Sequence, residues 1–170
     1  MDEVCGKNAS NDQKLKILVE SLESTASLSE IKKLAIITEI RWLLSEEDAN
    51  FENQIEKSRL LEIIDFGYSM CQKVDSPIER AITLELAWIL INIGFCSEHI
   101  ILLLFQKQPN LVGGIKQLLS TPDLQMIDLI FQFLRNCAIT SLDYIKLFEQ
   151  ELNLTSVIKR IAADFPQIFV

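Results

Sequence analysis

Nucleophiles and proton carriers are few in this chain. Its one histidine, His99, follows Ser97 and Glu98. A serine-histidine-acid relay needs three side chains converging from separate elements, with the serine on a sharp strand-to-helix turn. Adjacent residues on one helix point in different directions, so Ser97-Glu98-His99 reads as a solvated or capping histidine. Cys5, Cys71, Cys96 and Cys137 are scattered, form no CxxC pair, and have only His99 to join them. That leaves no zinc site with closely spaced ligands, and the thiols read as reduced core filler. Gly113-Gly114 lacks both the Lys-Ser that completes a phosphate loop and the GxGxxG spacing of a dinucleotide site. It reads as a place where helices approach closely. Glu46-Glu47-Asp48 is an acidic turn without the further ligands of a calcium loop. We expect no catalytic residue, no metal and no cofactor, and thus a non-enzyme.

The elements that position these residues read as helices. Leu34, Ile37, Arg41 and Leu44 follow helical spacing, Ile36, Ile40 and Leu43 widen the stripe, and strict alternation is rare. The pattern predicts helices near 12–24, 29–46, 53–72, 77–95, 97–107, 110–120, 122–138, 141–150 and 153–163. Ser76-Pro77, Thr121-Pro122 and Ser29 stand at expected N-termini, Gly94 near an expected end, and Pro109 between two helices. The longest charge-poor stretch, Ala81 to Phe105, carries only Glu85 and Glu98. Its unbroken apolar pieces fall short of the roughly 20 residues of a spanning helix. Residues 1–16 carry neither an apolar signal stretch nor an Arg-rich amphipathic one. A cytoplasmic or nuclear address is the expectation, with no membrane contact.

Ser76-Pro77 and Thr121-Pro122 lie 45 residues apart, and Trp42 and Trp88 lie 46 apart. Periods of about 40–47 residues belong to stacked two- and three-helix repeats. Stacking also accounts for charge: residues 81–105 hold two charged residues in 25, residues 12–33 eight in 22. A central repeat buries faces against both neighbours, whereas a terminal repeat keeps a polar side. An all-α, right-handed solenoid is therefore expected.

Ser76-Pro77-Ile78 followed by Leu84-Glu85-Leu86-Ala87-Trp88-Ile89-Leu90-Ile91-Asn92-Ile93 resembles the armadillo repeats of importin-alpha, with their E-x-A-W-A-L-x-N-I-A signature. Ile40-Arg41-Trp42-Leu43-Leu44-Ser45 is similar to the F-R-K-L-L-S of that family's first repeat. Ile115-Lys116-Gln117-Leu118-Leu119-Ser120-Thr121-Pro122 is similar to the junction of its second and third. The resemblance implies an armadillo-like solenoid over residues 28–170, with about three repeats near 28–74, 75–120 and 121–162. Residues 1–27 form an N-terminal segment with a capping helix. In that family the third helix of each repeat lines a concave groove. There an Asn amide bonds the backbone of an extended peptide, and Trp rings flank its lysine stems. The resemblance assigns Trp88 and Asn92 to this peptide-binding role, with Gln132 and Asn136 as the third repeat's counterparts and Arg41 and Ser45 as the first's. Read as residues alone, Trp88 equally suits a core and Asn92 a cap or an interhelix hydrogen bond. Gln132 in place of Trp, Thr140 in place of an acid and Glu46 in place of Asn depart from the pattern. The basic amino-terminal segment of the family is absent from residues 1–27.

Net charge is −8, with 16 Lys and Arg against 24 Asp and Glu. Nucleic acid is therefore a poor partner, because phosphate contacts need clustered cations. A protein partner offering an extended basic segment is expected, in a setting related to nuclear import. The alternative is a structural scaffold subunit whose apolar helices other chains cover permanently. Both readings bury Leu90, so Leu90→Ala is expected to lower the unfolding free energy in urea by about 2–5 kcal/mol.

Overall fold

The computed structural model describes residues 10–23, 29–46, 51–66 and 76–165. Every regular element among them is a helix: α1 Asn11–Glu23, α2 Glu30–Ser45, α3 Phe51–Ser58, α4 Leu60–Ile63, α5 Pro77–Gly94, α6 Glu98–Lys107, α7 Leu111–Leu119, α8 Leu124–Thr140, α9 Leu142–Leu152 and α10 Leu154–Asp164. No strand occurs among the described residues, and none of their helices is long and apolar enough to cross a membrane.

The longest helix, α5, begins with a reciprocal cap. The Ser76 hydroxyl accepts from the Glu79 amide at 3.1 Å, the Glu79 carboxylate accepts from the Ser76 amide at 3.2 Å, and Pro77 supplies a preset first turn. Apolar residues then recur around most of its circumference: Ile82, Leu86, Ala87, Ile89, Leu90, Ile91 and Ile93 are all buried. A helix apolar on this scale must be covered on more than one side. α2 and α8 both pack against it. Leu118, Leu119 and Leu134 join the same core, which runs from Leu15 in α1 to Ile161 in α10. Phe105, Phe133, Tyr144 and Phe148 add a cluster of rings with centroids 5.7–6.4 Å apart.

Two boundaries differ from the sequence reading. The helix expected over 53–72 breaks at Arg59, which is left-handed at φ 59°. There the Ser58 hydroxyl donates to the Ile55 carbonyl and accepts from the Leu60 amide, competing with the helical ladder. The end of that expected helix lies outside the described residues. The helix expected from Pro122 starts at Leu124, because Asp123 is the residue whose side chain caps the Met126 amide. Of the pair Gly113-Gly114, Gly114 is buried in α7 while Gly113 is open. A Cβ on Gly113 would meet nothing within 4 Å. A Cβ on Gly94 would lie 3.1 Å from Asn136 Cβ and 3.2 Å from a Phe133 ring carbon. Gly94 is thus a place where α5 and α8 approach closely, not merely a helix end.

With these starts, α2, α5 and α8 begin at Glu30, Pro77 and Leu124, two equal steps of 47 residues. Side-chain bonds between elements have nearly the same reach. Arg41–Glu85, Asn92–Ser45, Ser97–Glu52, His99–Glu56, Lys107–Glu62, Gln108–Phe66, Arg80–Asp123, Asn136–Ile91 and Arg160–Leu119 join residues 41–47 apart. Shorter separations, Asn11–Glu46 and Arg59–Glu23, tie α1 to the first of these units.

One buried polar side chain fixes a turn of this arrangement. Gln108, at the end of α6, accepts from the Phe66 amide at 3.0 Å and donates to the Leu61 and Ile64 carbonyls at 2.7 and 2.8 Å. Gln108→Ala would leave the Leu61 carbonyl without this donor and the Phe66 amide held only by the Ile64 carbonyl at 3.0 Å. A loss on the order of 1–3 kcal/mol is expected, with faster hydrogen exchange at the Phe66 amide. Unchanged exchange there would contradict this role.

Candidate functional site

The three helices spaced 47 residues apart expose matching positions. Arg41, Trp88 and Arg135 are equivalent, as are Ser45, Asn92 and Ile139, and Thr38, Glu85 and Gln132. These positions are exposed or half-buried in all three helices. Ile89 and Asn136, one residue beyond Trp88 and Arg135, are buried in α5 and α8. One face of α2, α5 and α8 is therefore open, and Trp88 and Asn92 lie at its centre.

Trp88 is 39% exposed. Half-buried Asn92 donates from Nδ2 to Ser45 Oγ at 3.1 Å, and that hydroxyl donates to the Arg41 carbonyl at 2.8 Å. The Arg41 guanidinium pairs with the Glu85 carboxylate, both side chains about four-fifths covered, and lies 4.3 Å from the centroid of the exposed Trp42 ring. On α8, Gln132 donates to Asp128 Oδ2 at 2.8 Å. Five of the six sequence-assigned residues, Arg41, Ser45, Trp88, Asn92 and Gln132, thus share the open face.

Asn136 does not share it. It is 5% exposed, and its Nδ2 donates to the Ile91 carbonyl at 3.4 Å. Aligning Asn136 with Asn92 uses a step of 44 residues, whereas the helix starts set 47. Three residues turn a helix by about 300°, which carries Asn136 round to the side that packs on α5. The true counterparts on α8 are Arg135 and Ile139, and the caps Ser29, Ser76 and Asp123 carry the signal that reveals them. Glu85 was also missed as a member of this surface.

Among the described residues, Ser97 and His99 hold separate partners and the two cysteines are free. Ser97 Oγ donates to Glu52 at 2.7 Å, while His99 Nε2 meets Glu56 at 2.8 Å, so serine and histidine face different carboxylates on α3. Cys96 and Cys137 are buried free thiols, each pushed up to about 12, chiefly by desolvation. Cys5, Cys71, Glu47 and Asp48 lie outside the described residues. Among the described residues no three His, Cys, Asp or Glu side chains are grouped to hold a metal. Compared with known proteins, the chain matches no family model, no curated protein and no solved structure.

The electrostatic tie across the lower end of this face is Arg80 to Asp123, at 2.6 and 3.1 Å. The Arg80 hydrogen bonds hold the Asp123 carboxyl below its ordinary value, with help from the Met126 amide. A carboxyl depressed in the folded state stabilises fully above its unfolded pKa of about 3.9 and loses that contribution as pH falls toward the folded value. Asp123→Asn keeps a cap and removes the charge. Its stability deficit against the parent, measured by urea unfolding, should be flat above about pH 5 and shrink below about pH 4.

Proposed function

We propose that this chain is a non-enzymatic protein-interaction module: an armadillo-like right-handed α solenoid of about three repeats, resembling importin-alpha, that takes an extended partner segment on the α2–α5–α8 face. The observation that carries this reading is the Trp88–Asn92 pair, one helical turn apart and partly open at the centre of three equally spaced helices. Asn92 offers an amide to a peptide backbone, and the Trp88 ring offers a flat apolar wall to an aliphatic stem. Glu85 is engaged by Arg41, so a lysine on the partner finds little free counter-charge there. Affinity for a basic segment is accordingly weak and salt-sensitive. Cytoplasm or nucleus is the compartment this reading fits.

A second reading, a scaffold subunit of a larger assembly, is favoured by apolar side chains left open away from this face. Ile31 and Trp42 stand on α2, and Leu142, Ile145 and Ile158 on α9 and α10. Large apolar side chains left open in this way fit a chain that other subunits cover.

Fluorescence anisotropy with a labelled, extended Lys- and Arg-containing peptide tests the first reading. Trp88→Ala is expected to abolish binding while costing well under the ~3–5 kcal/mol of a fully buried aromatic. Asn92→Ala should weaken binding with thermal stability nearly unchanged. Binding that survives both substitutions, or a parent protein that binds no such peptide, would reject the groove and leave the scaffold reading.

A further inference from the structure

Arg41, Glu85, Asp128 and Arg135 carry charge on the open face of α2, α5 and α8. Three of them are engaged within the chain. Arg41 and Glu85 hold each other, and Asp128 accepts from Gln132 at 2.8 Å. Arg135 is exposed, and among the described residues its guanidinium has neither an ion pair nor a hydrogen bond. The other arginines, Arg41, Arg59, Arg80 and Arg160, are each paired with a carboxylate. Acids outnumber bases 24 to 16 in this chain, yet none of the described ones reaches Arg135. A planar guanidinium left open on the candidate binding surface is a fork for a carboxylate supplied from outside.

An apolar shelf adjoins it. Phe95 lies seven residues beyond Trp88 and Ile139 four beyond Arg135, so each continues the open stripe of its helix. Phe95 is 75% and Ile139 71% exposed, against 39% for Trp88. The close approach of Gly94 to Phe133 and Asn136 sets the ends of α5 and α8 side by side. Phe95 follows Gly94 directly, and Ile139 stands about one turn after Asn136. Neighbouring packed helices stand about 8–10 Å apart, and an extended chain advances about 3.3 Å per residue. A segment crossing from α5 to α8 therefore meets Arg135 about three residues from the side chain seated on Trp88.

We propose that the partner segment is of mixed charge rather than uniformly basic: about three residues from the side chain on Trp88 it sets a carboxylate against Arg135, with a neighbouring apolar residue against Phe95 and Ile139. This preference rests on the reading of the α2–α5–α8 face as the peptide surface, and it makes Arg135 the residue that selects among segments.

Fluorescence anisotropy of labelled Gly/Ser peptides against the full chain tests the preference. Two peptides each carry one lysine and an adjacent Asp and Leu. The Asp stands three residues after the lysine in one and three before it in the other, and matched controls carry a second lysine in place of the Asp. One acid-bearing peptide is expected to bind saturably and about tenfold more tightly than its control, although the net charge of −8 by itself favours the control. Arg135→Glu should reverse that order, and Ile139→Ser should weaken the acid-bearing peptide several-fold. Both side chains are exposed, so unchanged circular dichroism and melting temperature verify that the variants fold. Controls that bind as tightly as the acid-bearing peptides, or an order of affinities unchanged in Arg135→Glu, would overturn the proposal. If those controls are then lost in Trp88→Ala, the groove itself still stands. Acid-bearing peptides that bind regardless of Trp88→Ala, or no binding by any of the peptides, would overturn both.

Discussion

Burial of α5 on two sides is the constraint from which the rest of the structure follows. A helix with Leu86, Ile89, Leu90 and Ile93 each at 1% exposure or less cannot stand at the edge of a fold. It requires α2 on one flank and α8 on the other. Once both flanks are filled, only the narrow strip holding Glu85, Trp88 and Asn92 remains to face outward, and that strip is the candidate binding surface.

Apolar packing alone does not choose a register between helices, and the polar bonds supply it. Arg41–Glu85 and Asn92–Ser45 set α5 against α2, while Arg80–Asp123 and Asn136–Ile91 set α8 against α5. A slip by one turn would leave Asn136 buried without its carbonyl, at a cost on the order of 1–3 kcal/mol. The close approach at Gly94 acts in the same direction, because no larger residue fits between Phe133 and Asn136 without displacement. The same bonds limit function. They engage Glu85 and one Asn92 N–H, groups that a peptide groove would otherwise offer to its ligand.

Much of the fold was legible in the sequence because helical periodicity and capping residues are local signals. The Ser76-Pro77 start and the apolar stretch from Leu86 to Ile93 needed no tertiary information. The repeat spacing was readable only to within two residues, since the prolines at 77 and 122 suggest 45 whereas the caps Ser76 and Asp123 set 47. Matching asparagine to asparagine, a step of 44, misplaced one site residue: it put Asn136 on the open face and hid Arg135 and Ile139. The break at Arg59 was not legible, because a left-handed arginine has no compositional signature and depends on the Ser58 hydroxyl turning inward. Glu85 was visible in the resemblance, yet its partner Arg41 lies 44 residues away and becomes its neighbour only when the helices stack.

If Trp88 and Asn92 together form the working part of the open face, a bound peptide must perturb both. Nuclear magnetic resonance of the indole N–H and the Asn92 side-chain amide, followed during titration with an extended peptide, reads this at the atoms concerned. The Trp88 indole and Asn92 amide signals are expected to move together along one saturation curve, while the Trp42 indole, exposed away from this face, stays in place. Shifts confined to Trp42, or a peptide that binds with both Trp88 and Asn92 signals unmoved, would contradict it.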